Sequence, residues 1–424
     1  MAASIRAEVI TIGDEILFGQ ITDTNTQWIG TELTNIGVRV TRKSSVGDQA
    51  DAILAILTEA HQRADIIILT GGLGPTKDDI TKQTLCRYFN TELVLNERAL
   101  AFVTAFFERR GRALTDINRT QAFLPANATY IENNWGTAPG MWIGHEGRVY
   151  VSLPGVPFEM KNLMSHAILP RLKAHFNPPV IKHKIIRTVG IGESFLAERI
   201  EAWEDALPAH IRLAYLPSFG GVKLRLTATG NDEALLDQQL EARAAEVLPL
   251  IEKHVYGYGD DEIEAVVGRM LQEQNLSLGI AESCTGGHVS ATITKVPGVS
   301  ACFWGSIVSY SNMVKVKQLG VRQETLDNFG AVSEQTIIEM AEGVRRALDT
   351  EIGIATSGIA GPGGGTDEKP VGTIWIACAT PQRTVTRLLK LGPYREQNIQ
   401  LTTMYVLNLL REELLSLSNK RTNQ

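Results

Sequence analysis

The stretch IIILTGGLGPTKDD (66–79) decides the fold of the first part of this 424-residue chain. An apolar run that gives way to paired glycines reads as a buried strand ending in a loop. Working outward towards the N-terminus, a helix from Asp48 carries Ile53, Leu54 and Leu57, and a strand of alternating polarity ends near Val46. Before that, a helix carries Trp28, Ile29, Leu33 and Ile36 and stops at Gly37, and the apolar run Ala7 to Ile12 precedes it. This βαβαβ rhythm implies a parallel sheet with helices on its faces. Ligands of such sheets sit beyond the carboxyl ends of the strands. GDEILFG (13–19), VGD (46–48) and TGGLGPTKDD (70–79) are therefore expected to meet at one edge, with GTAPG (136–140) and LPGVP (153–157) closing over the same cleft.

Downstream, NPP after Phe176 marks a break. A strand (181–189), a helix (194–203), two strands (near 212–215 and 222–229) and a helix (232–248) then read as a small α+β module. GYGDDE (257–262) reads as a linker and helix N-cap, after which an α/β rhythm resumes. The expected units are 1–172, 173–258 and 259–424, an α/β multidomain chain, as its length also favours.

The formal net charge of -6 gives no bulk attraction to phosphate backbones, so nucleic acid is not an expected partner. No basic segment followed by a long apolar one opens the chain, and no run approaches the roughly 18 apolar residues of a membrane span. A cytoplasmic location and no membrane partner are expected. Cys86, Cys284, Cys302 and Cys378 are dispersed without CxxC spacing and read as reduced, buried thiols. Chains of this organisation often self-associate, and a homodimer is the expectation.

AESCTGG (281–287) carries the clearest chemistry. A strand broken at a serine and paired glycines, then restarting as a helix, sets a hydroxyl beside backbone N–H groups, as acyl transfer requires. Ser283 is the candidate nucleophile, with Cys284 as its rival. His288, in the same unit, lies on the helix that follows and not across a cleft from the hydroxyl. VSYSNMVK (308–315) supplies a better partner, because a desolvated lysine loses its proton near neutrality; Lys315 alone reads equally as a solvated surface charge. TSGIAGPGGG (356–365) offers close backbone approach but matches neither a P-loop nor a dinucleotide fingerprint. In the first unit, Lys77, Asp78 and Asp79 with Asp14, Glu15, Asp23 and Asp48 present carboxylates and a cation at one strand edge. That suits a hard divalent cation and a phosphate ester, although each aspartate also reads as a helix cap or loop residue.

AESCTGG, PGVS (297–300), SYSNMVK and SGIAGP, in this order over 260–415, resemble the nicotinamide-nucleotide amidase (PncC) domain. The resemblance implies hydrolysis of the carboxamide of nicotinamide mononucleotide, without a cofactor. Ser283 is then the nucleophile, Tyr310 and Lys315 move its proton, and Ser300, Asn312, Ser357 and Gly358 hold substrate, with Arg395 facing its phosphate.

GDEILFGQITDTN, VGD, TGGLGPTKDDIT, NRTQA (118–122), GTAPG and LPGVP over 7–170 resemble the molybdopterin-binding-like domain of the CinA (competence/damage-inducible protein A) family. This implies an ADP-ribose pyrophosphatase yielding AMP and ribose 5-phosphate, dependent on a divalent metal, magnesium first, with potassium as an open question. Asp14, Asp23 and Asp78 are then assigned to metal, Asp79 to catalysis, and Lys77 with the backbone of Gly71, Gly72 and Gly74 to substrate. The middle module is similar to a KH-like fold but contains no GxxG loop to clamp a nucleic-acid backbone. The expected function is a bifunctional hydrolase recycling pyridine nucleotides. The alternative is a nucleotide- or pterin-binding scaffold linked to competence or the DNA-damage response.

Overall fold

The computed structural model describes residues 5–422, and residues 1–4 and 423–424, at the outer ends of the first and third expected units, lie outside it. Two compact units emerge. One comprises residues 1–182 with 229–236, and the other 183–228 with 237–424, so that most of the middle module belongs with the C-terminal part.

In the first unit, β1 (Arg6–Ile12), β2 (Arg39–Val46) and β3 (Ile66–Thr70) are the three expected strands, β1 and β3 from apolar runs and β2 from alternating polarity. A short pair, β4 (Leu93–Leu95) and β5 (Phe123–Pro125), lies apart from the main sheet. β6 (Thr129–Ile131), β7 (Gly140–His145) and β8 (Arg148–Leu153) complete a sheet of order β2-β1-β3-β8-β7-β6. β2, β1, β3 and β8 run parallel, and β7 and β6 are added antiparallel.

Every residue of β3 is buried because the sheet is covered on both faces. Ile66 and Ile68 point into one core with Ile29 and Leu33 of the helix Thr24–Asn35. Ile67 and Leu69 point into the other with Ile53 and Leu57 of the helix Ala50–Arg63. From β1 the chain first moves to β2 on one side and then returns to β3 on the other. This reversal opens a crevice beyond the ends of β1 and β3, where side chains of neither helix layer fill the space.

The second unit contains a four-stranded sheet, order β10-β11-β9-β12, built from β9 (Val180–Thr188), β10 (Ile211–Ser218), β11 (Gly221–Gly230) and β12 (Val255–Tyr258). β12 corrects the sequence reading. The start of GYGDDE is not linker but strand, paired antiparallel with β9. Glu262 makes no side-chain cap bond and instead pairs with Arg187 of β9 at 2.7 Å.

The five-stranded sheet that follows has order β14-β13-β15-β16-β17, from β13 (Leu278–Glu282), β14 (Phe303–Val308), β15 (Ile352–Gly358), β16 (Thr373–Ala379) and β17 (Thr384–Lys390). β14, β13 and β15 are parallel, and the last two strands are antiparallel. LGIAE in β13 and IGIAT in β15 alternate large and small residues in matched register, Gly279 opposite Gly353 and Ala281 opposite Ala355. The large side chains, Ile280 and Ile354, pack with Leu407 and Leu410 of the long helix Arg395–Thr422. The small face lets the helix Glu334–Leu348 lie directly on the strands; a Cβ added at Gly353 would stand 2.2 Å from the carbonyl oxygen of Ala341. β13 again has its successor β14 on one side and β15 on the other, so a second crevice opens at its carboxyl end.

Candidate active sites

Ser283 is the first residue beyond β13, and backbone bonds lock it between both neighbours. Its N–H donates to the carbonyl of Thr356 at 2.9 Å, and the N–H of Ser309 donates to the carbonyl of Glu282 at 2.7 Å. Beyond β14, Ser311 caps the helix Asn312–Leu319 by accepting from the N–H of Val314, and the first turn of that helix carries Lys315 inward. Nζ of Lys315 stands 3.0 Å from Oγ of Ser283 and 2.7 Å from the carbonyl oxygen of Ser309. The ammonium is 1% exposed, and burial pulls its pKa down to about 8, with no carboxylate among the causes to hold it up. A lysine so placed exchanges a proton with the serine hydroxyl near neutral pH.

The neighbouring Glu282 was not singled out by its sequence. Its side chain is fully buried, yet both oxygens are occupied: one accepts from the N–H and hydroxyl of Ser290, the other from Gly287 N, Val289 N and the Thr285 hydroxyl. A buried carboxylate is tolerable only when so satisfied, and this one staples the turn after Ser283 to the helix that follows. The only sequence signal was its adjacency to the serine. Burial pushes the thiol of Cys284 up to about 12, so it stays protonated and the rival nucleophile is not activated. His288 bonds to Thr403 at 2.8 Å and is a packing residue of its helix.

The other assigned residues divide. The hydroxyl of Tyr310 accepts from Nη2 of Arg395 at 3.0 Å, and Tyr310 is 61% exposed; the two form a pair at the surface, and among the described residues it is Lys315, not Tyr310, that bonds to the Ser283 hydroxyl. Arg395 also donates to the carbonyl of Gly361 at 2.8 Å. Ser357 is buried and spends its hydroxyl hydrogen on the carbonyl of Ala331. Gly358 ends β15 against Ile374, where a Cβ would lie 2.4 Å from that side chain. Asn312 opens the lysine's helix and Ser300 lies in a short 3-10 turn, both exposed.

In the first unit a cavity of about 450 Å³ lies beyond β1 and β3 and is lined by all the loops the sequence pointed to, including Gly13, Asp48, Gly71, Gly74, Thr137 and Gly155. Gly71 and Gly72 both have positive φ, and a Cβ on either would come within about 2.2 Å of the Ile12 carbonyl or the Thr81 hydroxyl. Only glycine lets the backbone wall approach this closely.

The carboxylates assigned to a metal do not converge. Asp23 caps the helix Thr24–Asn35, one oxygen accepting from Thr26 N and the other from the hydroxyls of Thr11 and Thr26. Asp79 holds its own loop, accepting from Gly74 N, Thr76 N and the Thr76 hydroxyl, so it is a positioning residue and not a free catalytic group. Asp14 donates its N–H to Asp48, while Asp78 is exposed at the cavity wall and Lys77 is exposed. Asp48 does not cap its helix, as the sequence allowed; burial raises its carboxyl pKa, and the charges of Asp14, Glu15 and Asp78 add to that. Among the described residues no group of three or more His, Cys, Asp or Glu side chains is arranged to hold a metal ion. Asp14, Asp23 and Asp78 therefore do not fit a protein-only metal centre.

Three further residues of the cavity escaped the sequence reading. Glu159, two residues beyond LPGVP, is half-buried; burial raises its carboxyl pKa although Asn133 donates to it at 2.6 Å. Asn25 and Gln121 line the wall, the latter inside NRTQA. Beneath them Lys82, buried and drawn down to about 8 by desolvation, donates to the carbonyls of Thr120 and Gln121.

Two doubly flanked crevices and a buried serine–lysine pair define a multidomain α/β protein with two candidate sites. Residues 8–174 match the family described as "Probable molybdopterin binding domain", 183–257 the "Damage-inducible protein CinA KH domain" and 260–414 the "CinA C-terminal domain". A CinA-like protein of Cytophaga hutchinsonii is 52% identical over 98% of this chain and 99% of its own length. Another, of Flavobacterium psychrophilum, is 45% identical over 97% and 99%. A solved CinA structure from Thermoplasma acidophilum is 37% identical over 38% of this chain and 95% of that one, with a TM-score of 0.36. The chain belongs to the CinA family. Among the described residues no helix is long and apolar enough to cross a membrane.

Proposed function

We propose that the C-terminal part is a serine amidohydrolase that converts nicotinamide mononucleotide and water to nicotinate mononucleotide and ammonia. The observation that carries this reading is the 3.0 Å contact between Lys315 Nζ and Ser283 Oγ in a buried setting. Neutral Lys315 takes the hydroxyl proton as Oγ attacks the carboxamide carbon. The same proton passes to the leaving nitrogen when the C–N bond breaks, releasing ammonia and leaving an ester on Ser283. Lys315 then deprotonates water, which attacks the ester, and returns that proton to Oγ. The N–H groups of Gly286, Gly287, Val289 and Ser290 are spent on Ser283 and Glu282, so in this reading those of Cys284 and Thr285 receive the developing oxyanion. Arg395, joined to Tyr310, receives the phosphate of the substrate, and Asn312, Ser300 and the 357–358 edge border it. Ammonia release is measured for wild type, Ser283→Ala and Lys315→Ala. Loss of about 10²-fold or more in both, with unchanged circular dichroism, supports the reading, and a well-folded wild type that releases none overturns it.

For the first unit we infer hydrolysis of ADP-ribose to AMP and ribose 5-phosphate. The specific observation is the cavity walled by glycine backbone and lined by half-buried carboxyls, among them Glu159, whose raised pKa suits it to accept a proton from attacking water. A divalent cation belongs to this reading only as a companion of the diphosphate, given the missing protein cage, and no step is assigned to it. AMP release by wild type and Glu159→Gln is the test; binding of ADP-ribose without AMP from wild type leaves a nucleotide-binding scaffold.

A further inference from the structure

None of the described residues lining the glycine-walled cavity of the first unit is aromatic, so a purine held there finds no ring to stack on. An aromatic surface stands just outside it. A second cavity of the same unit, about 380 Å³, is lined by Phe102, Phe106, Arg109, Arg110 and Asn134. The first four lie on the helix Glu97–Glu108 and the two residues after it, and the four-residue spacing of Phe102, Phe106 and Arg110 sets them in one row. The two phenyl rings are 6.3 Å apart, and the guanidinium of Arg110 lies 3.6 Å from the centre of the Phe106 ring. Both rings are half-buried, and neither belongs to the two cores that flank the main sheet. Phenyl faces left beside two cations form a platform for a planar ring rich in electrons and acceptor nitrogens.

One buried residue joins the two cavities. Asn133 is 1% exposed, and its amide nitrogen donates at 2.6 Å to Glu159 and at 2.8 Å to the carbonyl of Ala138, both residues of the glycine-walled cavity. Its oxygen accepts from the N–H of Trp135 at 3.1 Å, so the turn is braced from both ends of the carboxamide. Asn134, the next residue and only about 3.8 Å away along the backbone, lines the aromatic cavity. A ligand laid across this turn has one end against glycine backbone and the other against phenyl rings. We propose that the cleft of Phe102 and Phe106 is the subsite for the adenine of a nucleoside diphosphate sugar, the diphosphate running over the 133–138 turn to the glycine loops. This rests on the ADP-ribose reading of the first unit and adds where the base is held. Because every base has a π-face, the cleft selects for the presence of a base more than for its identity.

The test uses the full-length chain with ADP-ribose, its hypoxanthine analogue and the base-free diribose diphosphate, in which a hydroxyl replaces adenine. KM is measured by release of the monophosphate. In wild type, loss of the base raises KM about tenfold, whereas hypoxanthine for adenine changes it less than about threefold. In Phe106→Leu, the KM for ADP-ribose rises until its ratio to that of the base-free ligand is about one, and kcat changes little. Phe106→Tyr, which keeps a ring at the same place, restores the ratio. Arg110→Gln, on the exposed side of the stack, lowers it in part, and thermal melting checks the fold of all three variants. The inference is overturned if Phe106→Leu shifts ADP-ribose and the base-free ligand equally, or shifts neither. It is also overturned if Phe106→Leu dissociates an oligomer in light scattering and leaves the ligand ratio as in wild type, since the cleft is then an interface between copies. Should wild type release no AMP, the hydrolysis reading fails separately, and saturation-transfer NMR with AMP decides the subsite. Saturation of the base protons that is lost in Phe106→Leu supports it; equal saturation in both proteins, or none in wild type, overturns it.

Discussion

Lys315 and Ser283 are 32 positions apart in the chain and 3.0 Å apart in space, and among the described residues the nitrogen bonds to no carboxylate, only to the serine and the Ser309 carbonyl. Without a carboxylate counter-ion, burial dominates the lysine and brings its pKa to about 8, close enough to neutrality for a fraction of it to be the free base.

Amide hydrolysis should therefore follow the neutral form of Lys315. Below about pH 8 the ammonium is charged, so kcat/KM rises about tenfold per pH unit and levels off above that value. The folded pKa lies below the unfolded one, so the unfolded chain binds more protons between them and stability rises with pH across that window. Lys315→Met is expected to abolish ammonia release while leaving Tm at pH 7 unchanged or higher, since it removes a buried charge. A pH–rate profile with melting curves on both proteins checks this.

Glu282→Gln should damage both folding and catalysis. A neutral amide opposes at least one of the N–H groups that Gly287, Val289 and Ser290 direct at the carboxylate. A loss of about 3 kcal/mol in urea denaturation is expected, with kcat lowered more than KM is raised.

Cys284→Ala is expected to retain ammonia release within a few-fold, and iodoacetamide at pH 8 should leave the enzyme active, because the thiol remains protonated. Rapid inactivation with protection by substrate would reinstate the thiol as nucleophile.

Asp79→Asn should loosen the glycine loop. Amide hydrogen exchange at Gly74 and Thr76 is predicted to accelerate about 10-fold or more, in step with lost AMP release, whereas a purely chemical role would leave exchange unchanged.

Magnesium titrated into the free chain should give no heat of tight binding, and any metal requirement should appear only with the diphosphate present. Submicromolar binding by the chain alone would contradict this.

Much of the architecture was legible because burial on both faces writes continuous apolar runs, as in β1 and β3, and because glycine loops mark where those strands end. The serine and its lysine were legible for the same reason, each following a strand end. What sequence could not give was the second partner of each side chain. Asp23 and Asp79 look like free carboxylates until Thr11, Thr26 and Gly74 are seen bonded to them. Tyr310 and Arg395 lie 85 positions apart, and nothing local announces that they meet. β12 was read as linker because GYG is turn-like by composition, and only pairing with β9 makes it strand.

Gly279 and Gly353 sit side by side on the face covered by the helix Glu334–Leu348, about 13 Å upstream of Ser283 and Ser357 along their strands. A single methyl at Gly353 would act as a shim under that helix, tilting the scaffold from which the 330–333 turn and Ser357 hang. The C-terminal cleft thus has a tolerance set by the thickness of its floor: variants that never touch Ser283 can still misalign the cleft, and libraries built to tune it should leave the two glycines alone.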